Sequence, residues 1–192
     1  MKIAIEGNIG CGKTTLCTSL ADAFRLPVVL EPLNEWSTML DRFYADPARW
    51  GFTFNANVLA SYARWSASPQ DAIFERSPMS CRYVFSQVQL ADGHIDDVEL
   101  GILDSIFRSA CWTPDLVVYL RCPPSACFER VQSRGRACES EVPLGYLEKV
   151  HAMYESMIAT LCPHAIVVDA SRPAPDVLLE VRSRLQPIIC AS

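Results

Sequence analysis

Five short apolar runs punctuate the chain: Lys2 to Glu6, Pro27 to Leu30, Ala72 to Phe74, Leu116 to Leu120 and Ala165 to Val168. Each is too short for a helix and reads as a buried strand. Between them the apolar spacing turns helical, as in Leu16, Leu20, Ala23 and Phe24. The same reasoning predicts helices over Thr14 to Phe24, Glu35 to Tyr44, Phe54 to Trp65, Ser80 to Leu90, Asp97 to Ser109, Pro124 to Ser133, Leu144 to Leu161 and Asp176 to Leu185. Strands that alternate with helices, and that are apolar on both faces, point to an α/β fold with a five-stranded parallel sheet flanked by helices.

Composition narrows the picture. The 192 residues are half hydrophobic, with neither an internal repeat nor a low-complexity linker, which fits one α/β domain spanning 1–192. A net charge of −5 argues against non-specific nucleic-acid binding as the main role. Nine cysteines are scattered without a C-x-x-C pair, so reduced thiols in a cytoplasmic compartment fit better than a disulfide framework or a zinc site. The Lys2 to Glu6 run is too short and too soon charged for a signal peptide, and no apolar run approaches a membrane span, so no membrane association is expected.

The first strand runs into Gly7-Asn8-Ile9-Gly10-Cys11-Gly12-Lys13-Thr14, followed by Thr15. Two glycines separated by four residues, then Lys and Thr, form a P-loop pattern. Strand, glycine turn and helix follow in the order that aims loop amides and a helix N-terminus together at phosphates. Lys13 would reach the β and γ phosphates of a nucleoside triphosphate, and Thr14 would hold Mg²⁺ through its hydroxyl.

In an open parallel sheet, ligands gather beyond the carboxyl ends of the strands. Glu31 follows the second strand, and Glu75-Arg76-Ser77 follows the third. Phosphoryl transfer needs positioning, charge neutralisation and a group to orient or deprotonate the acceptor, and these residues carry that chemistry. Arg130, Arg134 and Arg136 follow the fourth strand, with Gly135 between two of them. They suit a short arginine-rich lid at about 130–142 that closes over phosphates. His94, His151 and His164 stand apart without ligand spacing and read as structural.

With these residues in place, the chain resembles the deoxyribonucleoside kinase family. Gly7 to Thr15 resembles its P-loop, Glu31-Pro32 with Trp36 its acceptor-site motif, and Tyr44 to Pro47 with Arg49-Trp50 its sugar-side segment. Glu75-Arg76-Ser77 with Arg82-Tyr83 resembles its E-R-S motif, and Tyr119 through Leu147 its lid region. The resemblance implies a homodimeric kinase that takes ATP and a deoxynucleoside and requires Mg²⁺. It makes Glu31 the general base for the 5′-hydroxyl, assisted by Arg76. It gives Mg²⁺ to Thr14 and Glu75, and the sugar 3′-hydroxyl to Tyr44 and Glu139. Trp36, Phe54, Asn55, Val58, Tyr62, Cys81 and Phe85 would form the base pocket. Arg130, Arg134 and Arg136 would grip the triphosphate, while Asp169 and Ser171 would border the donor adenine.

The departures from the family pattern lie in the base pocket. Asn55 stands where the family has glutamine, keeping the amide but losing a methylene, and Tyr62 replaces a smaller aliphatic. A bulky wall beside a shortened amide favours a single-ring base, thymine or cytosine. Two other readings compete. A nucleoside monophosphate kinase of thymidylate type shares the P-loop, yet Glu31 would repel an acceptor phosphate. A GTP-dependent switch protein would carry an Asn-Lys-x-Asp motif, which this chain lacks.

Overall fold

The computed structural model describes residues 1–65, 71–135 and 142–190. Its five strands are β1 (Lys2–Gly7), β2 (Val28–Val29), β3 (Ala72–Glu75), β4 (Leu116–Arg121) and β5 (Ile166–Asp169). They pair in parallel in the order β2-β3-β1-β4-β5, so the P-loop strand is central. This is the parallel sheet expected from the apolar runs.

Period-two alternation sorts the strand residues onto two faces. Ile3, Ile5, Ile73, Val118 and Leu120 pack with Leu16 and Leu20 of α1 (Lys13–Phe24). Val177, Val181 and Leu185 of α9 (Ala174–Ile189) complete that core. On the opposite face, Ala72 and Phe74 join α3 (Pro47–Arg64) and α6 (Asp97–Ala110). There too Val117 and Tyr119 meet Val150, Tyr154 and Met157 of α8 (Leu144–Leu161). The helix α2 (Leu33–Ala45) leads into α3, and α7 (Pro124–Arg134) follows β4.

Two helical boundaries differ from the sequence expectation. Helix α3 starts at Pro47 rather than near Phe54, because Asp46 caps it by accepting from the Arg49 amide at 3.1 Å, with proline at the first helical position. Apolar spacing is blind to such a polar cap. The helix expected from Ser80 to Leu90 is instead α4 (Pro78–Ser80), a π-helical turn over Cys81–Phe85, and α5 (Ser86–Ala91). The wider turn is stitched by Ser86 Oγ, which donates to the Cys81 carbonyl at 2.7 Å. Such turns concentrate at functional sites.

Candidate active site

The strand order reverses direction between β3 and β1, and a cavity of about 300 Å³ opens beyond their carboxyl ends. One end is the P-loop. Gly7 and Gly10 there have left-handed φ angles of 149° and 82°. A Cβ on Gly10 would come within 2.5 Å of the Cys127 carbonyl on α7, so the loop is pressed against that helix as well as shaped for phosphate. Asn8 is buried and pinned by its amide to the Leu147 carbonyl at 2.8 Å. Cys11 is buried in the core beneath the loop. Ile9, Gly10, Gly12, Lys13, Thr14 and Thr15 line the cavity. Lys13 Nζ donates to the Asn8 carbonyl at 2.8 Å, which holds the ammonium over the loop.

The charged centre lies beside it. Thr14 Oγ1 donates to Glu75 Oε1 at 2.7 Å, placing a hydroxyl and a carboxylate together at the start of α1. Two hard oxygen donors fit a Mg²⁺ ion that takes its remaining ligands from water and phosphate. Among the described residues no cluster of three or more His, Cys, Asp or Glu is placed to hold a metal by itself. Arg76, with a left-handed φ of 63°, pairs through Nη1 with Glu31, and both side chains are only 9% exposed. Its guanidinium also lies 4.9 Å from the centre of the Phe85 ring and donates through Nε to the Tyr154 hydroxyl at 3.2 Å.

The other end is aromatic. Trp36 meets Phe54 edge-on at 6.4 Å and Tyr62 at 6.2 Å, while Tyr62 in turn meets Trp65 at 5.3 Å and Trp112 at 6.4 Å. The Trp36 indole nitrogen donates to Ser61 Oγ at 2.9 Å, which fixes the ring's orientation. Burial holds the Tyr62 phenol well above its ordinary pKa, and nearby Glu31 reinforces the effect. Asn55 lines this end with its amide already engaged: Nδ2 donates to the Gly51 carbonyl of its own helix at 2.8 Å. Its Oδ1 lies 3.5 Å from Cys81 Sγ and 3.3 Å from Ser86 Oγ. One amide N–H is left for a ligand. Tyr44, Val58, Cys81 and Phe85 also line the cavity.

The structure thus gathers Glu31, Glu75, Arg76 and the P-loop at one end, and the expected base-pocket residues at the other. The arginines divide. Arg134 lines the cavity. Arg130 instead donates to the carbonyls of Ala170 at 2.9 Å and Ser171 at 3.2 Å, where Asp169 accepts from both the amide and the hydroxyl of Ser171. Arg136 and Glu139, with the rest of residues 136–141 of the expected lid, lie outside the described residues.

Sequence reasoning missed Glu6 and Tyr154, which stand behind Arg76 together with Ser77 of the Glu-Arg-Ser turn. A charge inside the apolar first strand was the available indication for Glu6. Tyr154 gave none, since it shares an apolar helical stripe with Leu147, Val150, Met157 and Ile158. Leu33, Leu40 and Phe43, which also line the cavity, were likewise hidden in ordinary helical patterns.

Comparison with known proteins agrees with this architecture. Human mitochondrial thymidine kinase 2 is 33% identical over 168 residues, covering 81% of this chain; the chain spans 63% of that relative's length. Putative kinase protein 029R of invertebrate iridescent virus 3 is 32% identical over 190 residues, covering 95% of this chain and 96% of the viral protein. A deoxyadenosine kinase from M. mycoides, solved with dCMP as product and dCDP, superposes with a TM-score of 0.90 over 98% of this chain and 100% of its own. At 22% identity that likeness speaks to the fold. The deoxynucleoside kinase family model matches residues 3–185, and with the P-loop, the Glu-Arg-Ser turn and the acceptor-side carboxylate all assembled around one cavity, the chain belongs to the deoxynucleoside kinase family.

Proposed function

We propose that this protein is an ATP-dependent deoxynucleoside kinase of nucleotide salvage, which transfers the γ-phosphate to the 5′-hydroxyl of a deoxyribonucleoside. The observation that carries this reading is the Glu31–Arg76 pair, set in the cavity between a P-loop and an aromatic pocket. An acceptor base stacked among Trp36, Phe54 and Phe85 directs its sugar toward Glu31. Glu31 then takes the hydroxyl proton as the oxygen attacks, and Arg76 holds that oxygen and the incoming phosphoryl group. Lys13 and Arg134 offset charge on the donor phosphates. Thr14 and Glu75 would hold Mg²⁺, which supplies further charge neutralisation on the β and γ phosphates.

Thymidine and deoxycytidine are the favoured substrates in this reading. The Tyr62 ring is only 1% exposed and is braced by three tryptophans, so it yields little space to a double-ring base. The catalytic unit is a single domain. Homodimerisation belongs to the same proposal, supported by Val98 and Ile102, 71% and 45% exposed one turn apart on α6, and size-exclusion chromatography tests it. Among the described residues no helix is long and apolar enough to cross a membrane, and the eight described cysteines are free thiols, which supports the cytoplasmic placement.

A coupled assay with ATP and each of the four deoxynucleosides tests the activity, with 5′-monophosphate as the expected product. Turnover of dTMP in place of a nucleoside would point to the monophosphate kinase alternative. No turnover of any nucleoside would overturn the reading.

A further inference from the structure

Behind Arg76 lies a second carboxylate that the transfer chemistry does not touch. Glu6, near the end of β1, has no exposed surface. It accepts from Ser77 Oγ at 2.6 Å and from the Tyr154 hydroxyl at 3.1 Å. A tyrosine hydroxyl has one proton; given to Glu6, it leaves a lone pair for the Arg76 Nε–H at 3.2 Å. The guanidinium therefore stands between two carboxylates, Glu31 on the cavity side and Glu6 sealed behind Tyr154.

A sealed carboxylate is costly to keep, and a neutral side chain would fill the same space at lower cost. Its geometry suggests what it supplies. A planar guanidinium held at Nε by a buried phenol and tethered at its backbone amide to the Ile5 carbonyl at 3.0 Å has its orientation set before any substrate arrives. We propose that Glu6 is a positioning residue for phosphoryl transfer: through Tyr154 and Ser77 it fixes the plane of Arg76 and shares its charge, so that Glu31 is oriented by Arg76 without being locked to it. The proposal rests on the reading of Glu31 as base and Arg76 as its partner.

Burial pushes the Glu6 carboxyl up to about 7, against its hydrogen bond from Ser77 and the charge of Arg76. The groups around it are Lys13 from α1, Arg76 and Ser77 after β3, Tyr154 from α8, Cys162 just past that helix, Tyr62 from α3 and, in register on β4, Tyr119. Protonation of Glu6 leaves more of the Arg76 charge to Glu31, which holds the base more tightly. Turnover should therefore rise with pH through this range.

The test compares wild type, Glu6→Gln and Tyr154→Phe in kcat, KM and melting temperature between about pH 5 and pH 9. At about pH 8 each variant should lose about tenfold in kcat, a modest misalignment effect, while KM for nucleoside and ATP stays within about twofold. In Glu6→Gln the inflection at about pH 7 should vanish from the kcat profile. Stability supplies a readout of opposite sign. Because the folded-state pKa lies above the ordinary 4.5, wild type loses stability as pH rises through about 7, and Glu6→Gln does not. Glu6→Gln should thus melt higher than wild type at about pH 8, with the gap closing toward about pH 5. An active wild type beside a Glu6→Gln variant with unchanged kcat and pH profile would overturn the proposal, as would a kcat loss that only tracks a lowered melting temperature. A wild type that phosphorylates no deoxynucleoside would overturn the underlying reading and the positioning role with it.

Discussion

The two ends of the cavity are built on different physics. At the phosphate end, Lys13, Thr14, Glu31, Glu75 and Arg76 each have a protein partner in place: a carbonyl, a carboxylate, a guanidinium or a hydroxyl. At the base end, rings meet edge to face, and the Asn55 amide is bound to its own helix at Gly51. The first end is organised by charge and direction, the second by volume. A change of one atom should therefore matter most near Glu31, and a change of size most near Tyr62.

Glu31→Gln is the sharpest test of that contrast, because it preserves shape and removes only the base. A fall in kcat of about 10²-fold or more is expected, with nucleoside KM changed far less. Near-normal kcat would take Glu31 out of the proton transfer. Lys13→Ala removes the ammonium over the P-loop and should cut turnover to a similar extent, with circular dichroism unchanged. Activity that survived it would place the donor phosphates elsewhere.

The base end should respond to volume. Overpacking typically costs about 1 to 3 kcal/mol, roughly 5- to 150-fold in affinity, which is enough to rank bases without abolishing any. Thymidine or deoxycytidine should accordingly outrank deoxyguanosine in kcat/KM, and Tyr62→Ala should shift the ratio toward purines by up to that amount. A ratio that does not move would mean the wall lies elsewhere. The smallest effect belongs to the sugar, between the two ends. Tyr44 lines the cavity, and a 2′,3′-dideoxynucleoside, which lacks the hydroxyl that Tyr44 is expected to bond, should lose about tenfold in kcat/KM. Equal values for the dideoxy analogue and its parent would remove Tyr44 from sugar recognition.

Legibility in the sequence followed the same divide. The P-loop could be read because its strand, turn and helix are contiguous, and the charges at the ends of β2 and β3 because strand ends are where an open sheet exposes its ligands. Their mutual pairing could not be read, since Glu31 and Arg76 are 45 residues apart. Asn55 shows a subtler limit. Its amide is legible as a donor and acceptor, but not the fact that the carbonyl four residues back takes up one of its donors. Arg130 makes the same point for the expected lid, because its helix turns it toward the carbonyls after β5, whereas Arg134, one turn later, faces the cavity. The apolar stripe of α8 likewise concealed Tyr154, whose ring packs as core while its hydroxyl links Arg76 to Glu6.

Two arginines share the left-handed backbone region that favours glycine, Arg25 at φ 54° and Arg76 at φ 63°. Arg25 merely ends α1, where the Leu26 amide closes on the Ala21 carbonyl. Glycine would relieve a similar strain at both positions, about 1 kcal/mol each. Arg25 is exposed, so a library sorted for heat resistance should accept Arg25→Gly, whereas at residue 76 the gain is outweighed by the about 3 to 5 kcal/mol lost when buried Glu31 is left without its cation. Thermal selection would thus relax the backbone at the first position and leave the second untouched, because there the same guanidinium that serves the chemistry also holds the fold together.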